Sequence, residues 1–150
     1  MTAPSPRLLG LSHLALSVVD LDAAARFWTT VLGFEPLEPA ESVRFLIHRG
    51  ARLGVVLTDH AGAVTHPFDE RRTGLDHLAL AVPGEADLRA WERRLDELGV
   101  PHSPVTATDA GHHLNLRAPD RFPVELYAMA PSFAAVVGLA DPVDAVARTH

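Results

Sequence analysis

A chain of 150 residues, 47% hydrophobic and 21% charged, is long enough for one compact domain or for two small modules sharing a core. Its formal charge of −6, with no cluster of basic side chains, excludes a phosphate-tracking nucleic-acid surface, and no apolar run approaches a bilayer span. Cysteine and lysine are both absent, which removes disulfides, thiolate nucleophiles, Schiff-base catalysis and a P-loop lysine and leaves metal or acid–base chemistry built on His, Asp, Glu, Tyr and Arg.

The opening residues, Met-Thr-Ala-Pro-Ser-Pro, lack the basic and apolar blocks of a signal peptide, so the expected location is cytoplasmic. Leu11–Val18 then alternates between two environments, as a strand does. Leu14, Leu16 and Val18 share one face; His13, Ala15 and Ser17 share the other. A helix follows, capped by Asp20 or Asp22, with Ala24, Phe27, Trp28, Val31 and Leu32 on its apolar face and Gly33 at its end. Three extended stretches come next, about Phe34–Pro39, Val43–Arg49 and Arg52–Thr58, closing a module over residues 8–58. Residues 59–74, with Gly62, Pro67 and Gly74, read as a linker.

The pattern then repeats. Leu75-Asp-His-Leu-Ala-Leu-Ala-Val82 matches Leu11-Ser-His-Leu-Ala-Leu-Ser-Val18 at an offset of 64 residues. Leu88, Trp91, Leu95 and Leu98 form the stripe of a second helix that Gly99 closes, and Leu98-Gly99-Val100 echoes Leu32-Gly33-Phe34. Both tryptophans fall within helical stripes, which predicts core packing. Strands are expected at about Pro104–Thr108, His113–Arg117 and Pro123–Met129, completing a second module over 75–130; residues 131–150 lie outside the repeat, as a short helix or loose tail. The fold class expected is α+β: two tandem βαβββ modules pairing into a cleft-forming, half-barrel-like mixed sheet.

This pattern resembles the vicinal oxygen chelate superfamily, which includes glyoxalase I, fosfomycin-resistance proteins, bleomycin-binding proteins and extradiol dioxygenases. The resemblance covers roughly residues 8–130. Its most specific parts are the two His-Leu-Ala-Leu strands and the closing Ala118-Pro119-Asp120-Arg121-Phe122-Pro123-Val124-Glu125-Leu126-Tyr127. Many relatives carry Asp-Pro-Asp-Gly-Asn before that Glu-Leu pair; Arg121-Phe122 replaces Gly-Asn here, so the turn must differ. The resemblance also implies a small-molecule substrate and a homodimer.

Two histidines at matching repeat positions are related by an approximate two-fold axis, near which one metal can take an imidazole from each half. Aligning the last strands sets Val56 opposite Glu125, so the second half supplies a carboxylate where the first has valine. The expected ligand set is therefore His13, His77 and Glu125, binding one divalent ion. Each residue alone has a blander reading: strand histidines are more often hydrogen-bonded core residues, and most glutamates face solvent. Their coincidence at positions that the repeat requires favours a metal site. A 2-His-1-carboxylate set favours Fe(II), with Mn, Zn, Co or Ni as alternatives.

The resemblance implies four ligands for glyoxalase I, and Val56 removes one, which disfavours that isomerase. Ring-cleaving relatives commonly add a His and a Tyr where this chain has Arg52 and Asn115, and fosfomycin transferases typically use a lysine. The expected function is a dioxygenase-like metalloenzyme binding substrate through two adjacent oxygens. A glyoxalase-like lyase or thiol transferase at the same metal, and a metal-free bleomycin-type binding protein, are the alternatives. Candidate acid–base or hydrogen-bonding groups are Tyr127, which shares the parity of Glu125, and the tandem His112-His113, one of which alternation aims at the inner face; His48 and His60 are further candidates.

Overall fold

The computed structural model describes residues 5–6, 10–37 and 40–138. These fall into two compact units: the residues up to Phe68 together with Ala118–Asp120, and Asp69–Arg117 together with those from Arg121 onward.

In the first unit β1 (His13–Ser17) leads into α1 (Leu21–Arg26), which widens into a π-helical turn (Phe27–Val31) and is followed by β2 (Glu35–Pro36), β3 (Val43–His48) and β4 (Leu53–Thr58). The sheet order is β1-β4-β3-β2, with β1 parallel to β4 and the other pairs antiparallel. The second unit repeats this as β5 (Leu78–Ala81), α2 (Glu85–Glu97), β6 (Thr106–Thr108), β7 (Gly111–Arg117) and β8 (Pro123–Met129), in the order β5-β8-β7-β6. Two βαβββ modules, each a four-stranded mixed sheet with one helix, are thus present as expected.

Each helix packs on one face of its own sheet, the face that carries the fully buried side chains. In the first unit Leu46, Val55 and Leu57 are buried, as are Ala24 and Trp28 of the helical segment. In the second, Leu88 and Leu95 are fully buried together with Leu114, Val124 and Leu126. Area bookkeeping gives about 2 kcal/mol for each fully buried leucine of this kind, so these stripes fix which face the helix covers. The opposite faces carry the alternate residues: His13, Ala15, Ser17 and Val56 in one unit, Ala79, Asn115, Glu125 and Tyr127 in the other.

Capping and termination follow local chemistry. Asp20, not Asp22, caps α1, its Oδ1 accepting from the Ala23 amide at 2.9 Å; Asp22 pairs with Arg44 at 3.0 Å instead. The π-helical turn shifts the stripe, so Trp28, Val31 and Leu32 are buried while Phe27 is only half-buried. Gly33, at φ +76°, ends it, and Phe34 folds back edge-on to Trp28 with ring centroids 5.1 Å apart.

Several expected boundaries move. β2 is two residues long rather than six, and residues 38–39 of that expected strand lie outside the described ones. Leu98 is 46% exposed rather than part of the α2 stripe, because it is the C-cap residue beyond the last regular turn. Trp91 is half-buried rather than in the core, and the Arg94 guanidinium sits 5.8 Å from its ring centroid. The segment after the repeat forms α3 (Pro131–Val137); residues 139–150 of the expected tail lie outside the described ones. Among the described residues no helix is long and apolar enough to cross a membrane.

Candidate metal centre

The strand register tests the alignment that set Val56 against Glu125. Ala15 pairs with Val56 across β1 and β4, and Ala79 pairs with Glu125 across β5 and β8. Ala15 and Ala79 stand at the same place in the two repeats, so Val56 and Glu125 occupy equivalent positions. A carboxylate thus stands on a central strand of one sheet and a valine at its counterpart.

Glu125 lies between β5 and β7, and its side chain is only 13% exposed. Its neighbour on β5 is the small Ala79. Two histidines reach Glu125 along diagonals of the strand register, a separation that long side chains can span. His113 on β7 pairs with Tyr127, and its Nδ1 donates to Glu125 Oε1 at 2.8 Å. His77, in the residue just before β5, places Nε2 3.5 Å from Glu125 Oε2.

The remaining nitrogen of His77 decides what that second approach is. Nδ1 lies 2.7 Å from Asp76 Oδ2. A carboxylate oxygen only accepts, so Nδ1 carries the hydrogen and a neutral ring has its lone pair on Nε2. Nε2 and Oε2 then face each other as two acceptors, at a separation longer than a good hydrogen bond. A doubly protonated ring would satisfy both carboxylates; with a neutral ring, a cation between Nε2 and Oε2 would do so, since ligand bonds near 2.1 Å at a tetrahedral angle span about 3.4 Å between nitrogen and oxygen. The donor set and spacing fit two ligands of one divalent ion.

His13 belongs to the first unit, at the exposed start of β1. Its Nδ1 lies 2.9 Å from Ser12 Oγ, so the side chain before each repeated histidine, Ser12 or Asp76, engages the same ring nitrogen. Gly54 is its partner on β4, where an added Cβ would come within 3.2 Å of the His13 Cβ. Among the described residues no group of three or more His, Asp or Glu side chains forms a ready-made metal cluster.

The other candidates separate by face. His112 points to the helix side of the sheet, its Nε2 3.4 Å from Glu85 Oε2 on α2, which removes it from the face that carries Glu125. Tyr127 shares that face and is half-buried. His48 serves the turn between β3 and β4: its Nδ1 accepts from the Ala51 amide at 2.9 Å, and its ring lies edge-on to Phe34. His60 Nε2 is 2.9 Å from Ser17 Oγ in the first unit. Asp76 and Ser12 were not singled out from the sequence. Their signal was available, as an oxygen-bearing side chain immediately before each repeated histidine.

Comparison with known proteins agrees with this architecture. The family model described as "Glyoxalase/Bleomycin resistance protein/Dioxygenase superfamily" matches residues 10–126. Catechol-2,3-dioxygenase of Bacillus subtilis (strain 168) is 28% identical over 123 residues, covering 81% of this chain. The chain spans only 42% of that relative's length. The crystal structure of a glyoxylase/bleomycin resistance protein/dioxygenase domain from Frankia sp. EAN1pec is similar with a TM-score of 0.74 and 32% identity, over 85% of this chain and 97% of that one. A lactoylglutathione lyase from Agrobacterium tumefaciens shares the fold at a TM-score of 0.67 and 21% identity, over 82% of this chain and 96% of that one.

Proposed function

The chain belongs to the glyoxalase/bleomycin resistance protein/dioxygenase superfamily, and within it we propose a metal-dependent small-molecule enzyme of dioxygenase-like type. The observation that carries this reading is the convergence of His77 Nε2 and Glu125 Oε2 at 3.5 Å, with Asp76 at the other nitrogen of the His77 ring. His77 and Glu125 are two ligands of one divalent ion; His13 is the third, assigned from the sequence repeat. Fe(II) is favoured by the donor set, with Mn, Zn, Co or Ni as alternatives.

Such an ion, when bound, supplies Lewis acidity to a substrate that chelates through two adjacent oxygens. The residues of the chain do the rest. Asp76 holds the His77 tautomer, which keeps Nε2 available. Tyr127 and Asn115, on the same face as Glu125, offer hydrogen bonds to a bound substrate. Val56, where a second carboxylate would stand, argues against a four-ligand isomerase. Similarity to a catechol-2,3-dioxygenase over four-fifths of this chain supports ring-opening of a catechol ahead of thiol addition. A homodimer is the expected assembly.

The test is anaerobic reconstitution with Fe(II), metal analysis, and oxygen uptake across a panel of catechols. About one ion per chain and catechol-dependent oxygen consumption are expected, with both lost in His77→Ala and Glu125→Ala. Metal binding without oxygen uptake, but with turnover of a glutathione adduct, moves the reaction to the lyase class. A folded protein that takes up no metal removes the enzyme reading in favour of a binding protein.

A further inference from the structure

We propose that His113 is a positioning residue that holds Glu125 as a one-oxygen ligand and so reserves a coordination position for substrate. This rests on the metal reading above and specifies how its carboxylate is controlled. A carboxylate has two equivalent oxygens and a loosely restrained terminal torsion. Left alone it could present both oxygens to an ion and fill two positions. Here Oε1 is engaged by His113 Nδ1 at 2.8 Å, and Oε2 lies 3.5 Å from His77 Nε2.

The bond is anchored by the sheet. β7 and β8 are central neighbours, with His113 opposite Tyr127 and Asn115 opposite Glu125. Both partners are largely covered, the side chains being 25% exposed for His113 and 13% for Glu125, so water competes weakly for Oε1. Backbone pairing on two adjacent strands therefore holds the two side chains within reach, and the hydrogen bond to Oε1 restrains the carboxylate. A substrate with two adjacent oxygens needs two positions on the ion, and a carboxylate taking only one leaves them open. His112 cannot serve this purpose, since it meets Glu85 on the other face of the sheet.

The experiment compares wild type, His113→Phe and His113→Asn as metal-free proteins titrated with Co(II), reading affinity by chelator competition and ligand geometry from the visible absorption spectrum. Phenylalanine keeps the ring and removes the donor; asparagine places an amide N–H near the position of Nδ1. His113→Phe is expected to bind Co(II) about 10- to 100-fold more weakly, with a spectrum shifted towards higher coordination number. His113→Asn should recover most of the affinity and the wild-type spectrum. Thermal melting of the metal-free variants confirms that each is folded. Wild-type affinity and spectrum in His113→Phe overturn the proposal and leave the metal site intact. Equal loss of stoichiometry in both variants also overturns it, by making His113 itself a ligand. If wild type binds no Co(II), the metal reading fails and this proposal with it.

Discussion

His102 shows how a side chain outside the candidate site can set the pH response. Its Nδ1 meets the Ser103 carbonyl oxygen at 2.8 Å and its Nε2 meets Asp96 Oδ1 at 3.1 Å. Both partners are acceptors, so the doubly protonated ring satisfies both. The Ser103 carbonyl and the Asp96 carboxylate raise the His102 pKa above its ordinary value of 6.5, against a smaller opposing effect of burial. A folded state that holds its proton more tightly than the unfolded chain gains stability while the proton is on. That contribution is complete below about pH 6.5, the unfolded value, and is lost as pH rises through the higher folded value. Urea unfolding should therefore show stability declining from pH 6 to pH 8.5, and His102→Gln should flatten the decline. An unchanged slope in that variant would assign the pH response elsewhere. The same scale explains what the sequence concealed at the candidate site. Strand parity was enough to place Glu125 and Tyr127 on one face, but not to choose between His112 and His113, because the phase of β7 is set by its pairing with β8.

At the scale of elements, repeated strands and apolar stripes were legible because alternation and helical spacing are local. The first helix departed from its pattern where the π-helical turn added a residue to one turn. The turn before β8 was anticipated only as different: Asp120 and Arg121 both take positive φ, 62° and 64°, and Arg121 stands at the glycine of the motif that this segment resembles. Gly111, which opens β7, was not singled out. It has φ +149°, and an added Cβ would overlap the Ala128 carbonyl oxygen and come within 2.9 Å of the Ala130 amide. That backbone belongs to β8 and its exit, which cannot retreat without breaking the pairing on which Glu125 sits. Gly111→Ala is expected to destabilise the protein by roughly 3 kcal/mol, from overpacking plus backbone strain, read as a lower urea midpoint with an unchanged slope. A variant as stable as wild type would mean that the β7–β8 pair is more compliant than its register implies.

For the whole molecule, two modules of identical strand order differ chemically at one decisive pair of equivalent positions, Val56 and Glu125. The repeat made that asymmetry readable from sequence, since equivalent registers follow from equivalent strands. The participation of His13 rests on the same repeat and is open to a thermodynamic test. A ligand that binds only the folded state stabilises it by about 2.7 kcal/mol at a hundred times its dissociation constant. For a chain of this size each kcal/mol raises the melting temperature by about 2–4 °C. Saturating Co(II) or Mn(II) should therefore raise the melting temperature by roughly 5–10 °C, an effect that a chelator reverses. His77→Ala should abolish the shift with little change in the metal-free melt, because its side chain is half exposed; Glu125→Ala should abolish it and also lower the metal-free melt, because it leaves the largely covered His113 Nδ1 without its partner. His13→Ala discriminates further. If the two repeated histidines serve one ion, this variant loses the shift as well, although it lies in the other unit. A full shift retained in His13→Ala would exclude His13 and require the third donor to come from elsewhere, leaving the His77–Glu125 pair as the core of the site.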